Sequence, residues 1–179
     1  ADSQYNAEEL IREGADSSRC VVVAPFHHID KLAQLAPDTS VLDQYVNSTL
    51  NILMVGRVAP NKGHGSLIEA LAVYNHQYHG RARLLIVGKE APQLASYSQW
   101  LRQLATSKGL DGSVIFAGGV SDEQLKAYYL AADFFMLTSE HEGFCVPLVE
   151  AMAMKVPIIA FASSAIPGTI GEAGLVWPE

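Results

Sequence analysis

Two glutamates, Glu142 and Glu150, stand with seven residues between them in "SEHEGFCVPLVEAMA", residues 139–153. An ionised carboxylate only accepts hydrogen bonds, and its two oxygens can take both hydroxyls of a vicinal diol. Between the two lie Gly143, Phe144, Cys145 and Val146, followed by Pro147. Proline suits the first turn of a helix, where its missing amide hydrogen is not needed. Residues 143–146 are therefore expected at the entry to a helix, with backbone amides free to meet an anion. Glu150 then falls in the early turns, where the helix dipole favours an acid by about 0.3 to 1 kcal/mol, so helix stabilisation alone can account for it. Glu142 precedes the helix and adjoins a glycine that permits close approach to the backbone, so it lacks that explanation.

A second cluster lies in "VGRVAPNKG", where Gly56 is followed by Arg57, and Lys62 comes just before Gly63. Two cations on one loop beside helix amides form a cradle suited to a phosphate or diphosphate. A solvated basic turn is the ordinary alternative. Neither the GxGxxG dinucleotide fingerprint nor the GK[ST] of a phosphate loop is present, and "GKE" at residues 88–90 fails the same test. Two acceptor carboxylates, a row of amides and two cations suit a ligand with hydroxyl-rich ends and an anionic centre. A nucleotide sugar has that layout, and an acid-capped helix competes with it.

The elements that must position these groups alternate from Asn51 onward. Apolar runs "NILMVG", "RLLIVG", "SVIFAGG", "DFFMLTS", "VPIIAFA" and "AGLVWP" read as strands. Between them, "HGSLIEALAVYNHQY", "QLASYSQWLRQLATSKG", "DEQLKAYYLAA" and "PLVEAMAM" read as helices. Strands apolar throughout, separated by amphipathic helices, define an α/β fold: a Rossmann-like parallel sheet with helices on both faces. Leu67, Leu71, Tyr74 and Tyr78 form the expected core stripe of the first long helix. In such sheets ligands sit beyond the carboxyl ends of the strands, where both clusters lie. Earlier, "QYNAEELIRE" reads as a short helix closed by Gly14 and "CVVVAP" at residues 20–25 as a buried strand. Residues 27–49 read as a connector with a weak helix around "KLAQLA".

Composition narrows the function classes. A formal charge of −7 over 179 residues disfavours nucleic acid and other polyanionic partners. No apolar run approaches the ~18 residues of a membrane span, and "ADSQYNAEELIREG" lacks the pattern of a secretory signal, so a cytoplasmic location is expected. Cys20 and Cys145 form neither a CxxC pair nor a disulfide framework, in keeping with a reducing compartment. A thiol hydrolase built on Cys145 and His141 lacks an orienting third group. His76 with His79, and His27 with His28, have no third ligand at a usual spacing, so no metal site is expected.

The quoted loops, with "GGVSDEQLKAYYLAADFFMLTSEHEGFCVPLVEAMAMKVPIIAFASSAIPGTIGEAGLVW", resemble the nucleotide-sugar-binding half of the retaining GT-B glycosyltransferases over about residues 50–179. The resemblance implies a metal-independent hexosyltransferase of the polysaccharide-building kind, using a UDP- or GDP-linked sugar as substrate and no cofactor. It implies that Arg57 and Lys62 bind the diphosphate, that Glu142 accepts from the sugar hydroxyls, and that Gly143, Phe144, Cys145 and Val146 hold sugar and phosphate. Glu150 would grip the ribose, Gly56 would end the strand beneath the diphosphate, and the turn at Gly119 and Val120 would contact the base. Departures from the pattern are Cys145 and Lys155, each where the family usually has glycine, and Gly168, where an acid is common. The resemblance also implies that residues 1–48 are the remnant and connector of an acceptor-binding domain and that residues 49–179 form the donor domain of a longer enzyme, cut short at its C-terminus. Any peripheral membrane contact would come from the missing half. A synthase, phosphorylase or epimerase of similar architecture, and a non-catalytic sugar-nucleotide-binding module, remain open alternatives.

Overall fold

The computed structural model describes residues 1–25, 27–78 and 81–178. Six strands form one parallel sheet: β1 (Leu50–Val55), β2 (Ala82–Val87), β3 (Val114–Gly118), β4 (Phe134–Leu137), β5 (Ile158–Phe161) and β6 (Leu175–Trp177). Their order is β3-β2-β1-β4-β5-β6. The chain builds outward from β1 in one direction, then returns to lay β4 on its other side. That reversal creates a crevice between the carboxyl ends of β1 and β4, the position where sheets of this type bind ligands. Leu53, Leu84, Leu85, Ile86, Phe135 and Leu137 are fully buried at the centre of the sheet, which explains why these strands read as continuous apolar runs.

The helices are α1 (Gln4–Arg12), α2 (Ile29–Gln34), α3 (Thr39–Tyr45), α4 (His64–Gln77), α5 (Ala95–Ser107), α6 (Asp122–Ala131), α7 (Val146–Ala153) and α8 (Ile166–Ile170). Right-handed crossovers put α4 and α5 on one face of the sheet and α6, α7 and α8 on the other. Helix α6 starts with a capping box: the Gln124 amide donates to the Ser121 hydroxyl, and the Ser121 amide to the Gln124 side chain. Buried Asn51 ties this side together, its amide group donating to the carbonyls of Tyr45 and Ala131.

Three expectations need correction. Residues 20–25 form no strand: apart from a local turn bond from the Cys20 amide to the Ser17 carbonyl, their main-chain bonds among the described residues are with Ala1, through Ala1 N to the Val21 carbonyl and Val23 N to the Ala1 carbonyl, and Val21, Val22 and Val23 are exposed. An apolar run needs a neighbouring strand to become one, and the sheet lies elsewhere. The connector at residues 27–49 holds two helices, the second capped by the Asp38 carboxylate, which accepts from the Ser40 amide. Leu67 and Leu71 are core residues, whereas Tyr74 and Tyr78 are exposed and pack on each other at 5.5 Å, Tyr74 bordering an open groove instead of a packed layer. Beside them Leu50, Ile52, Phe134, Met136 and Ile159 line an apolar groove of about 500 Å³, where α4 leaves one face of the β1-β4-β5 half open.

Candidate functional site

The loops after β1 and β4 are laced together at several points. Gly63 takes a left-handed conformation, φ 68°, and a Cβ there would lie 2.2 Å from the Thr138 carbonyl oxygen, so only glycine lets the two loops approach. The Thr138 hydroxyl donates to the Gly63 carbonyl at 2.9 Å, and the Glu140 amide to the Asn61 carbonyl at 2.9 Å. Across this seam Lys62 Nζ meets Glu142 Oε1 at 2.6 Å, both side chains largely buried, with 16 % and 10 % exposure. Residues 80 positions apart thus form one charge pair at the switch point of the sheet.

The backbone of Glu142 is clamped from β5's side. Its amide donates to the Ser164 hydroxyl at 2.7 Å, and that hydroxyl donates to the Glu142 carbonyl at 3.0 Å. The Thr169 hydroxyl donates to the Phe144 carbonyl at 2.7 Å. The amides of Gly143, Phe144, Cys145 and Val146 donate to no protein acceptor among the described residues, as is usual at the start of a helix without a side-chain cap. Gly143 does allow a close approach, but the visitor is the chain itself: a Cβ on it would lie 2.6 Å from Asp2 Oδ2 and 3.0 Å from Asn6 Nδ2. Tyr5 packs edge-on against His141 at 6.2 Å. The start of the chain therefore lies over the residue 141–144 loop.

Glu150 belongs to a different setting. It is the fifth residue of α7, beyond the first turn in which the dipole acts, so helix stabilisation does not account for it. Its Oε2 accepts from the Tyr129 hydroxyl at 2.8 Å. Burial raises the Glu150 carboxyl above the ordinary carboxylate range, with the Tyr129 bond opposing the shift. Arg57 is exposed at the end of β1 and makes no ion pair among the described residues. Val120 is partly buried just beyond β3, and the Lys89 side chain lies across neighbouring Gly119, its Cγ 2.9 Å from where a Cβ would stand. Gly56 continues the ladder by donating its amide to the Val87 carbonyl at 2.9 Å. Lys62, Glu142 and the amide row thus come together directly, while Arg57, Val120 and Glu150 occupy separate places along the carboxyl edge of the sheet.

Both glycine departures fall on left-handed backbone, Cys145 at φ 70° and Lys155 at φ 59°. The Cys145 thiol is pushed up to about 12, first by burial and then by the charge of Glu142, so it stays protonated at neutral pH and the thiol-nucleophile reading fails. Gly168 lies in α8 with open space around it. His79 lies outside the described residues. Sequence reasoning missed Ser164, Thr169 and Tyr129, which orient the site from distant positions. His64 is fully buried just after the Lys62 loop, with no well-formed hydrogen bond at either ring nitrogen.

The parallel sheet, its switch point and this loop pair place the molecule in the GT-B class of glycosyltransferase folds. Residues 46–177 match the glycosyl transferases group 1, and the chain belongs to that family. It is 36 % identical over 110 residues to mannosylfructose-phosphate synthase of Agrobacterium fabrum, covering 60 % of this chain and 24 % of that protein. It is 31 % identical over 128 residues to O-antigen chain mannosyltransferase B of Escherichia coli, covering 69 % and 32 %. Among solved structures, Anabaena Alr3699/HepE in complex with UDP and glucose superposes with a TM-score of 0.86 at 24 % identity, over 99 % of this chain and 48 % of that one. The C-terminal domain of a glycosyl transferase group 1 family protein (LpcC) from Francisella tularensis gives 0.67 at 27 % identity, covering 86 % and 76 %. The chain spans a quarter to a third of the length of these curated relatives.

Proposed function

We infer that this chain is the donor-binding part of a retaining glycosyltransferase that moves a hexose from a UDP- or GDP-linked sugar to a sugar or lipid-linked acceptor. The observation that carries the reading is the Lys62–Glu142 pair beside the free amides of residues 143–146, at the switch point of the sheet. The complex of Anabaena Alr3699/HepE with UDP-glucose, on the same fold, supports a nucleotide-sugar ligand. Residues 1–48 are then the end of an acceptor-side domain and its connector, and residues 49–179 the donor domain. In this reading the remaining part of a longer enzyme binds the acceptor and makes any contact with a membrane face.

In this reading the bond between the sugar's anomeric carbon and the diphosphate oxygen breaks, and its electron pair leaves on the diphosphate. Arg57 and Lys62 stabilise that growing charge from fixed positions, an electrostatic contribution made larger by partial burial of Lys62. No resident cofactor takes part, because these two cations supply the neutralisation. The amides of residues 143–146 bind phosphate and sugar oxygens, Glu142 accepts from sugar hydroxyls, Glu150 from the ribose diol, and the turn at Val120 meets the base. When donor arrives, Lys62 shifts part of its bonding from Glu142 to phosphate, which releases the carboxylate toward the sugar. The new bond forms on the face the diphosphate left, as the acceptor hydroxyl passes its proton to the departing diphosphate oxygen.

Calorimetric titration of the 179-residue chain with UDP-glucose and GDP-mannose tests this. Binding of one of them, weakened at least tenfold in Arg57→Ala and in Lys62→Ala, is the expected result. Absence of binding to either nucleotide sugar, or to free UDP and GDP, would overturn it.

A further inference from the structure

On the far side of the Lys62 loop, between the start of α4 and the flank of α5, lies an open hollow of about 320 Å³ that the donor reading does not use. Its floor is aromatic. Tyr97 and Trp100, one helical turn apart on α5, stack with ring centres at 5.5 Å and planes 25° apart. Trp100 is 48 % exposed, a large apolar area to leave in water. Its position is held firmly: Gly65 packs flush against the indole edge, so that a Cβ there would lie 2.8 Å from Trp100 Cη2. Behind Tyr97, the buried His64 ring meets it edge-on at 6.5 Å.

The rim is acidic and hydroxylic. Glu69 and Glu140 flank the platform with Ser66, and no cationic side chain lines the hollow. Glu69 reaches Lys108 only at 3.9 Å with both side chains well exposed, so its carboxylate is free to accept. The backbone of Glu140 is held beside the platform by the hydrogen bond that its amide donates to the Asn61 carbonyl. Two carboxylates, one of them only loosely paired with Lys108, disfavour phosphates and other anions. A quaternary ammonium is captured by rings standing around a point, whereas here Tyr97 stacks on Trp100 and the half-exposed indole is left as a single aromatic surface. An aromatic face edged by acceptor groups suits an uncharged ring whose C–H face lies on the indole and whose hydroxyls point outward. Pro60 and Gly63 border this hollow and belong to the loop that carries Lys62, so it opens next to the transfer site.

We propose that the Tyr97–Trp100 platform, with Glu69 and Glu140, is a second carbohydrate-binding site that holds a neutral sugar of a glycan chain beside the donor loop. The site stands on its own residues and does not depend on which nucleotide sugar, if any, the donor loops take.

The chain has two tryptophans, so Trp177→Phe leaves Trp100 as the sole indole reporter. Titrating that variant with methyl α-mannoside and with maltotriose should give a saturable change in indole emission with millimolar affinity. Saturation-transfer NMR should show the sugar C–H protons receiving magnetisation in the unaltered chain, losing it in Trp100→Ala, and keeping part of it in Trp100→Phe. Glu140→Gln, which leaves the aromatic core intact, should weaken the sugar roughly threefold or more. Arg57→Ala, at an exposed side chain away from the hollow, should leave it unchanged while weakening nucleotide sugars, which separates this site from the donor reading. The proposal is overturned if neither probe saturates, if Trp100→Ala and Glu140→Gln bind as before, if Arg57→Ala removes the sugar as well, or if tetramethylammonium binds the platform in its place.

Discussion

The two glutamates of the opening spacing sit in contrasting surroundings. Glu142, on the loop before α7, is charge-paired with Lys62 in a nearly closed space and pinned by Ser164. Glu150, inside α7, faces a single neutral hydroxyl, and burial makes its charged form costly. One carboxylate is therefore tied to a counter-ion, which under the proposed donor reading a diphosphate would draw away, and the other makes a single local bond, which under the same reading a ribose diol would replace or extend. The spacing along the chain is the same from either end, yet the energetic settings differ, and a mutation series can separate them.

Breaking the pair at Glu142 should have the largest effect. Lys62→Met leaves a nearly buried carboxylate without its cation, and loss of one partner of such a pair costs about 3 to 5 kcal/mol. Urea denaturation should show that loss, while Glu150→Gln should change stability by about 1 kcal/mol or less. A double change, Lys62→Met with Glu142→Leu, should recover most of the loss, because no uncompensated charge remains. Equal costs for Lys62→Met and Glu150→Gln would erase the distinction.

The same loop holds the next effect. Burial pushes the His64 imidazole down to about 4 from its ordinary 6.5, outweighing the Ala59 carbonyl that favours the proton, with Lys62 adding to the drop. The unfolded chain therefore takes up the proton first as pH falls. Stability from this group is complete above about pH 6.5 and declines as pH drops toward 4, by up to about 3 kcal/mol. His64→Leu should flatten that part of the stability profile between pH 7 and 4. An unchanged slope in the variant would show that the histidine does not titrate this way, and the Lys62 side would lose its claim to be the stiffer of the two.

At the other end, Tyr129→Phe removes the one bond that favours ionised Glu150. The Glu150 carboxyl should titrate still higher, as followed by its carbon-13 shift, and stability should fall by about 1 kcal/mol. A downward shift would mean that the tyrosine holds the carboxylate in its neutral form.

How far these settings were legible in the sequence depends on the range of the interaction. Strand β2 is buried on both faces, and β1 and β4 are apolar on both although one face of each opens on the groove, so all three appear as apolar runs, and the order of helices follows from the same alternation. Gly63, Lys62 and Glu142 were legible as residue types on strand-end loops. Their mutual contact was not, because the sheet folds together positions 80 residues apart, and no local pattern records it. Tyr129 reads as an ordinary helix residue until the fold sets its hydroxyl on Glu150, 21 residues away. The apolar run at residues 20–25 misled for the reverse reason: its composition suits a strand, but strand formation depends on a partner that the run lacks. Helix α3 went unread because "TSVLDQY" has too few apolar positions for its period to stand out, although Asp38 marks its start.

The smallest effect concerns the two departures from glycine, which the structure places on left-handed backbone after α7 and before it. A side chain in that conformation costs about 1 to 2 kcal/mol, while glycine returns about 0.4 to 1 kcal/mol of freedom to the unfolded chain. Lys155 is exposed and follows the end of α7, so Lys155→Gly should stabilise by about 0.5 to 1 kcal/mol, measurable as a raised denaturation midpoint. Cys145 is buried, and its thiol fills space next to Glu142 that glycine would leave empty. Cys145→Gly should therefore gain less than Lys155→Gly or nothing, since relief of strain is offset by the lost packing. A larger gain at Cys145 would mean that strain in the loop entering α7 outweighs packing, and that the Glu142 side of the spacing is held less favourably than its ion pair suggests.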